Sequence, residues 1–246
     1  MDSSCGIRRL QNLAQQLRSY KPPLPQDNDT KEEEVKKGAE NLGFSEPTDL
    51  FRRRLSNFGS KRAAVLVCLF EGDAGDLRVI LTKRAPKLSS HAGEVSLPGG
   101  KVDKSDADEC ETALREAKEE IGLDPLTVKV VTVLEPFFTM QFTRVIPVVG
   151  MLFNKRAFEP VINSTEVEAV FDVPLEMFLK DENHWTEEVK WMGVVYHLPY
   201  FRFQAENKKY VIWGLTAGIL TRVASVVYQR PPPFDEQRSG FKIRNL

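Results

Sequence analysis

The sequence predicts an α/β (α+β) fold in which a mixed β-sheet is combined with two long helices. Apolar runs rich in valine and isoleucine recur between positions 63 and 203 and have the length of strands. A segment of helical periodicity, from about 108 to 121, interrupts these runs. A second one, from 212 to 228, follows them and ends before three prolines. Helices placed between and after strands favour a layered arrangement of helices on a sheet.

The individual elements follow from local patterns. Residues 63–70 form a continuous apolar run that suits a buried strand, and turn-forming residues separate them from a second strand over 77–82, so we expect a hairpin. Further β-rich runs occupy 126–138, 144–153 and 191–203, and a turn is expected at 154–160. Pro174 is placed to begin a short helix.

The length of 246 residues allows one domain with extensions. We predict an N-terminal helix and flexible linker over 1–59, a globular domain over 60–230 and a tail over 231–246. In the first region Ile7, Leu10, Ala14 and Leu17 recur at helical spacing between arginines. This basic amphipathic helix is either an organelle-targeting segment or a helix packed on the domain. No clear cleavable leader is evident.

Composition excludes several classes of protein. A net charge of −1 does not favour nucleic-acid binding through a global basic field. The apolar stretch 211–220 is too short to cross a bilayer, which takes roughly 20 apolar residues. Three cysteines give neither a disulfide framework nor a zinc-ligand spacing, which fits a reducing compartment.

The segment 90–123 carries the chemistry. Gly99 and Gly100 allow a tight backbone turn ahead of the helix, and Gly122 is placed to end it. Glu116, Glu119 and Glu120 fall within about 100° of one helical face. Three crowded carboxylates are either a solvated face or ligands of a divalent cation such as Mg²⁺. The glycine pair, which can add a backbone carbonyl, favours the cation.

The same segment resembles the Nudix box, G-x5-E-x7-R-E-U-x-E-E-x-G-U, where U is aliphatic. Its second half matches in full, from Arg115 to Leu123. The first half departs, since Arg115 lies 15 positions after Gly100 against 14 in the pattern. Ala107 stands where the first Glu of the box is expected, and Asp106 is a candidate substitute for it.

Residues 80–100 resemble a second motif, L-L-T-x-R-S-x3-R-x3-G-x3-F-P-G-G, of the coenzyme A diphosphatase branch of that family. The matching residues are Leu81, Thr82, Arg84, Gly93, Pro98, Gly99 and Gly100. Ala85, Ser89 and Leu97 depart from it. The longer loop is also typical of this branch.

The resemblance implies a Nudix-type α/β/α sandwich and a Mg²⁺- or Mn²⁺-dependent hydrolase. The implied metal ligands are Glu116, Glu119, Glu120 and the carbonyl oxygen of Gly99 or Gly100. Arg115 would orient a box carboxylate rather than bind substrate. The general base is Glu116 or a downstream glutamate, Glu166 or Glu168; the latter two are otherwise exposed charges at the N-terminus of a helix.

The implied substrate is coenzyme A or acyl-coenzyme A, cleaved to adenosine 3′,5′-bisphosphate and (acyl-)4′-phosphopantetheine. Lys83, Arg84, His91, Gly99 and Gly100 are the implied substrate contacts, although His91 equally suits a structural role in its loop. Two alternatives stay open: hydrolysis of ADP-ribose, NADH or oxidised nucleotides, and a non-catalytic nucleotide-binding protein of the same fold. The cytosol or the mitochondrial matrix is the expected location, and a homodimer is compatible with the sequence.

Overall fold

The structure, a computed structural model, describes residues 3–21, 61–141, 143–191, 194–205 and 207–234. The predicted flexible linker and most of the predicted tail lie outside these ranges. Within them the α-helices are α1 (Ser3–Arg18), α2 (Glu109–Ile121) and α3 (Gly214–Tyr228). The strands are β1 (Arg62–Glu71), β2 (Leu77–Arg84), β3 (Val95–Ser96), β4 (Gly99–Lys101), β5 (Val128–Val133), β6 (Phe137–Phe138), β7 (Arg144–Leu152), β8 (Val167–Pro174), β9 (His184–Trp191), β10 (Val194–Ala205) and β11 (Lys208–Trp213).

Strand β1 is at the centre of a mixed eight-stranded sheet. It pairs in parallel with β7 and antiparallel with β2 and β4. The order β3-β2-β1-β7-β5 is completed by β8 beside β2 and β6 beside β7. A parallel pair needs a long crossover connection, and the segment between β1 and β7 that contains α2 supplies it. The predicted hairpin of β1 and β2 is confirmed.

The sheet has a hydrophobic core on each face. Alternate residues of β1 from Ala64 to Phe70 pack with the apolar side of α2, whereas Val67 and Leu69 pack in the cluster that contains α1 and α3. This alternation follows from the two-residue period of a strand. The predicted sandwich of helices on both faces of a mixed sheet is therefore confirmed. No helix among the described residues has the length and apolarity needed to cross a membrane.

Helix α1 is part of the second core. Leu10, Ala14 and Leu17 are buried there, at the spacing that the sequence indicated. The side-chain amide of Gln16 donates to the carbonyl of Val227 in α3, at 3.1 Å. The helix is therefore packed on the domain, as one of the two interpretations predicted.

Two predictions about the C-terminal half are wrong in detail. The second long helix begins at Gly214 instead of position 212, because Ile212 and Trp213 pair with Phe201 and Tyr200 in a separate three-stranded sheet of order β11-β10-β9. In that sheet β9 extends from 184 and β11 from 208, so both lie largely outside the run predicted over 191–203.

The segment around Glu166 also differs from one interpretation. Glu168 lies in β8, which pairs antiparallel with β2, and Glu166 directly precedes that strand. Neither residue is at a helix N-terminus. The short helix predicted after Pro174 is present as a 3₁₀ helix over Leu175–Leu179.

A partly buried polar network joins the residues just after α1 to α3. The guanidinium of Arg222, only 3% exposed, donates through Nε to Glu135 at 2.5 Å and through Nη2 to the Tyr20 hydroxyl at 3.0 Å. That hydroxyl in turn donates to Glu135 at 2.7 Å. Burial, together with the hydrogen bond to Glu135, raises the pKa of Tyr20 to about 12, so the phenol stays protonated.

We expect Glu135→Ala to lower the free energy of unfolding by about 3 kcal/mol, because it leaves the buried charge of Arg222 without its counter-ion. Denaturant unfolding followed by circular dichroism measures this change. Arg9→Ala is the control, since Arg9 is 65% exposed and lies 3.8 Å from Glu71. It should cost less than about 0.5 kcal/mol. If both substitutions lowered the free energy of unfolding equally, the network would not stabilise the packing of this part of the chain.

Candidate functional site

Helix α2 carries the predicted acidic residues, and its limits agree with the sequence prediction. The Asp108 carboxylate caps the first turn by accepting from the Glu111 N–H. Gly122 ends the helix in the left-handed region, with φ of 71°. Ala113, Ala117 and Ile121 are fully buried against the sheet. This packing fixes the rotation of the helix and therefore the direction of its acidic face.

The glycine pair lies in strand β4, beside β1, rather than in an open loop. Gly99 has φ of 153°, and a Cβ there would lie 2.4 Å from the carbonyl oxygen of Ala64. A Cβ on Gly100 would lie 2.5 Å from the carboxyl carbon of Glu116. The two glycines therefore allow a close approach, of β4 to β1 and of Glu116 to β4.

Arg115 holds the acidic side chains around it. Its guanidinium contacts both oxygens of Asp106, with Nε to Oδ1 at 2.9 Å and Nη2 to Oδ2 at 3.0 Å. Nη1 lies 3.1 Å from an oxygen of Glu116 and 3.1 Å from an oxygen of Glu119. Arg115 therefore orients box carboxylates, and its planar fork suits this bidentate geometry.

Asp106 is the side chain that pairs with Arg115, and its carboxylate is buried. It also accepts from the Thr112 hydroxyl and from the Asp103 N–H, each at 2.8 Å. Hydrogen bonds from Arg115, with smaller contributions from these donors, hold the pKa of Asp106 well below its usual range. Ala107 is exposed, and its N–H donates to Glu111 at 2.7 Å. Asp106, and not Ala107, is therefore the side chain of this loop that pairs with Arg115.

Glu120 is the most buried of the three glutamates, with 2% of its surface exposed. It accepts from the Gly99 N–H at 3.2 Å. Burial, with smaller contributions from the charges of Glu116 and Glu166, raises its pKa to about 7. The pKa of Glu116 is also raised, mainly by burial. The charges of these carboxylates repel one another.

Glu166 is held beside this cluster by backbone contacts. The N–H groups of Val161 and Asn163 donate to the carbonyls of Ile121 and Glu120, both at 3.0 Å, which fixes the loop on the last turn of α2. The Ala85 N–H donates to the Glu166 carbonyl at 2.8 Å.

The Asn163 amide donates to the Glu166 carboxylate at 3.3 Å. Sequence analysis missed Asn163, although the run Asn-Ser-Thr before Glu166 is typical of a tight turn.

Arg84, at the end of β2, is the basic side chain nearest to the buried glutamate. Its Nη1 is 3.9 Å from Glu120 Oε1. Its Nε is buried and has no hydrogen-bond partner among the described residues. A buried donor without a partner is unfavourable, so this guanidinium is suited to an anionic ligand oxygen.

Lys83 and His91, two other predicted substrate contacts, already have acidic partners. Lys83 forms a 2.8 Å ion pair with Glu168, and both side chains are partly exposed. The His91 ring lies 2.9 Å from Glu94, and His91 has φ of 55°. Glu168 is therefore paired with Lys83. Glu166 is the downstream glutamate whose charge contributes to the raised pKa values of Glu116 and Glu120.

No cluster of three or more histidine, cysteine, aspartate or glutamate side chains within the described ranges is arranged to hold a metal ion. Several of the carboxylate oxygens already have partners. Arg115 contacts oxygens of Glu116 and Glu119, and the Gly99 N–H donates to one of Glu120. The donor set nevertheless fits a hard divalent cation. It consists of carboxylate oxygens, and burial raises the pKa values of Glu116 and Glu120.

Comparison with known proteins agrees with this site. A sequence model of the NUDIX domain matches residues 60–211, which include α2 and the glycine strand. Nudix hydrolase 22, chloroplastic, of Arabidopsis thaliana is 55% identical over 98% of this chain and 80% of its own length. Nudix hydrolase 15, mitochondrial, of the same plant is 57% identical over 88% of this chain and 76% of its own length.

A third relative is more distant. The peroxisomal coenzyme A diphosphatase NUDT7 of Mus musculus is 36% identical over 74% of this chain and 76% of its own length. The similarity therefore extends beyond the helix and its glycines to most of the domain.

We expect Ala107→Glu to change diphosphate turnover by less than about twofold, because Arg115 already has a bidentate partner in Asp106. Asp106→Ala should lower turnover about 10- to 100-fold, since it removes the group that orients Arg115. It should also cost about 2 kcal/mol of stability. Steady-state kinetics and denaturant unfolding measure the two effects.

Asp103→Ala is the matched control, since Asp103 is an exposed aspartate in the same loop whose carboxylate bonds to Ser105. We expect it to leave turnover nearly unchanged. A rise of more than about tenfold for Ala107→Glu would mean that Asp106 does not replace the missing glutamate.

Proposed function

The chain belongs to the Nudix hydrolase family, and we propose that it hydrolyses the diphosphate bond of coenzyme A and acyl-coenzyme A in the presence of Mg²⁺ or Mn²⁺. The products would be adenosine 3′,5′-bisphosphate and (acyl-)4′-phosphopantetheine. One observation carries the diphosphatase chemistry: the buried Glu120 lies 3.9 Å from Arg84, whose Nε lacks a partner among the described residues. A cation-binding acid and an anion-binding guanidinium side by side suit a metal-bound diphosphate.

The choice of coenzyme A depends on two further observations. Residues 80–100 resemble the coenzyme A diphosphatase motif, and Thr82, which matches it, is buried where β2 pairs with β3. The mouse relative bears the name of a coenzyme A diphosphatase. The names of the two plant relatives carry no substrate.

Glu116, Glu119 and Glu120, with the carbonyl of Gly99, would hold the divalent cation. When bound, such an ion neutralises phosphate charge and lowers the pKa of a coordinated water. Arg115 keeps Glu116 and Glu119 in place through the 3.1 Å contacts described above. The Gly100 position leaves room for the Glu116 carboxylate.

Arg84 would bind an oxygen of the diphosphate and hold it against the acidic cluster. Lys83 and His91, at the exposed rim of the same strand and loop, are proposed to contact the outer phosphate groups of the substrate. Each would exchange its present partner, Glu168 or Glu94, for a phosphate oxygen. Phosphate is a strong acceptor for both types of side chain.

Glu166 is proposed as the general base. It lies close enough to Glu116 and Glu120 for its charge to raise their pKa values. Its carboxylate is held through Asn163, and its backbone through Ala85. A base must lie near the water that it activates. Glu168, the alternative, is paired with Lys83 instead.

A mitochondrial or cytosolic location is proposed as well. One plant relative is named as mitochondrial and another as chloroplastic.

We expect the full chain with Mg²⁺ or Mn²⁺ to convert coenzyme A to adenosine 3′,5′-bisphosphate and 4′-phosphopantetheine, identified by mass spectrometry. A chelator should stop the reaction, and Glu120→Gln should lower kcat/KM by more than about 100-fold without unfolding the protein. ADP-ribose, NADH and oxidised nucleotides are tested in parallel. Turnover of any of these far above that of coenzyme A would contradict the proposed substrate.

We expect Glu166→Gln to lower kcat about 100-fold or more, because a positioned general base contributes about 10²–10⁴ to the rate. The matched control is Glu168→Gln, two residues further along the chain in β8, which should change kcat less than about twofold. Single-turnover measurements separate this effect from product release. Similar losses in both variants, or no loss in Glu166→Gln, would exclude Glu166 as the base.

A further inference from the structure

The three-stranded sheet carries a row of aromatic side chains on the face opposite to its buried one. Phe201 and Ile212 are fully buried on the inner face. On the other face Trp185, Tyr200 and Trp213 lie side by side, because Tyr200 pairs with Trp185 of β9 and with Trp213 of β11. All three are partly exposed.

The three rings are stacked on one another. The Trp185 and Tyr200 ring centroids are 5.2 Å apart with planes at 21°, and those of Tyr200 and Trp213 are 5.5 Å apart with planes at 6°. The guanidinium of Arg202 lies 5.2 Å from the centre of the Trp185 ring. The two ends of the row therefore differ. At one end a cation lies against the Trp185 ring, and at the other end Trp213 is the last ring.

The Trp213 end of the row adjoins β3. Strand β11 is an edge strand of its sheet, and it contacts β3. The Thr216 hydroxyl donates to the Val95 carbonyl at 3.3 Å, which ties the start of α3 to β3.

Glu94, just before β3, links the two regions. Its carbonyl accepts from the N–H of Arg84 at 2.9 Å, and Arg84 is the residue beside Glu120. Burial, followed by the charges of Glu187 and Glu94, raises the pKa of Tyr200. The ring row therefore lies beside β3, and the residue that precedes β3 is hydrogen-bonded to Arg84.

We propose that Trp213, supported by Tyr200 and Trp185, is the platform on which the adenine ring of the substrate stacks. The inference rests on the proposed function, because it assigns the base of the same nucleotide whose diphosphate lies at Arg84 and Glu120. A planar base can extend a row of parallel rings, and aromatic stacking suits a base without selecting a particular edge.

The surroundings of the row favour a nucleotide over a second copy of the chain. Charged residues also lie on this face of the sheet, with Arg202 on β10, Lys209 on β11 and Glu187 on β9, whose carboxylate accepts from the Trp185 indole N–H at 3.1 Å. The centres of protein interfaces are depleted of lysine and glutamate. Arg202 and Lys209 complement the negative charge of a nucleotide.

The test compares Trp213→Ala with Val211→Ala, a matched control because Val211 is an exposed apolar residue on the same strand and face. We expect Trp213→Ala to raise KM for coenzyme A about tenfold, with kcat changed less than about twofold, as base–aromatic stacking requires. Trp213→Phe, which keeps an aromatic ring, should retain most of the affinity. Val211→Ala should leave both parameters unchanged.

A binding measurement that needs no turnover separates this proposal from the proposed function. ADP should quench the tryptophan fluorescence of the parent protein, and Trp213→Phe should remove most of that quenching. Quenching of this kind supports the platform even if coenzyme A is not hydrolysed. An unchanged KM for coenzyme A in Trp213→Ala overturns the proposed platform. Loss of a dimer in that variant at constant KM, with the dimer measured by size-exclusion chromatography, overturns it as well.

Discussion

The contacts of Arg115 are the interaction on which the acidic face of α2 depends. One guanidinium reaches both oxygens of Asp106 and one oxygen each of Glu116 and Glu119. Each of these carboxylates therefore has a counter-ion within hydrogen-bond distance, which offsets their mutual repulsion. Glu120 is beyond this reach and has only the Gly99 N–H and the more distant Arg84. Burial, with smaller contributions from the charges of Glu116 and Glu166, raises its pKa to about 7.

The shape of the site follows from the absence of side chains at two positions. Gly100 leaves the volume that the Glu116 carboxylate fills, and Gly99 lets β4 approach β1 closely enough for its N–H to meet Glu120. At position 99 a side chain would clash with β1, and a φ of 153° is strained for residues other than glycine. Only glycine therefore fits this position. The Gly99 N–H therefore offsets part of the free-energy cost of burying Glu120, and a side chain at position 99 would displace this N–H.

The features that the sequence predicted well are those set by local contacts. The limits of α2 follow from Asp108 and Gly122, which act within one turn of the helix ends. The start of α3 was misplaced because Ile212 and Trp213 pair with β10, a contact that helical periodicity does not reveal. The position of Glu166 depends on backbone bonds between its loop and α2, which are distant in sequence. The role of Asp106 was foreseen only as one candidate, since spacing alone does not show which side chain meets Arg115.

This division between local and distant contacts has a functional consequence. The acidic helix and its glycines form one continuous segment, so the proposed metal ligands all come from one part of the chain. The other residues proposed to act on the substrate come from other elements: Arg84 from the end of β2, Glu166 from the loop before β8 and Trp213 from β11. They meet that segment through tertiary contacts such as that of Arg84 with Glu120. The proposed function is therefore expected to depend on how these elements pack against α2 and β4, and not on the acidic helix alone.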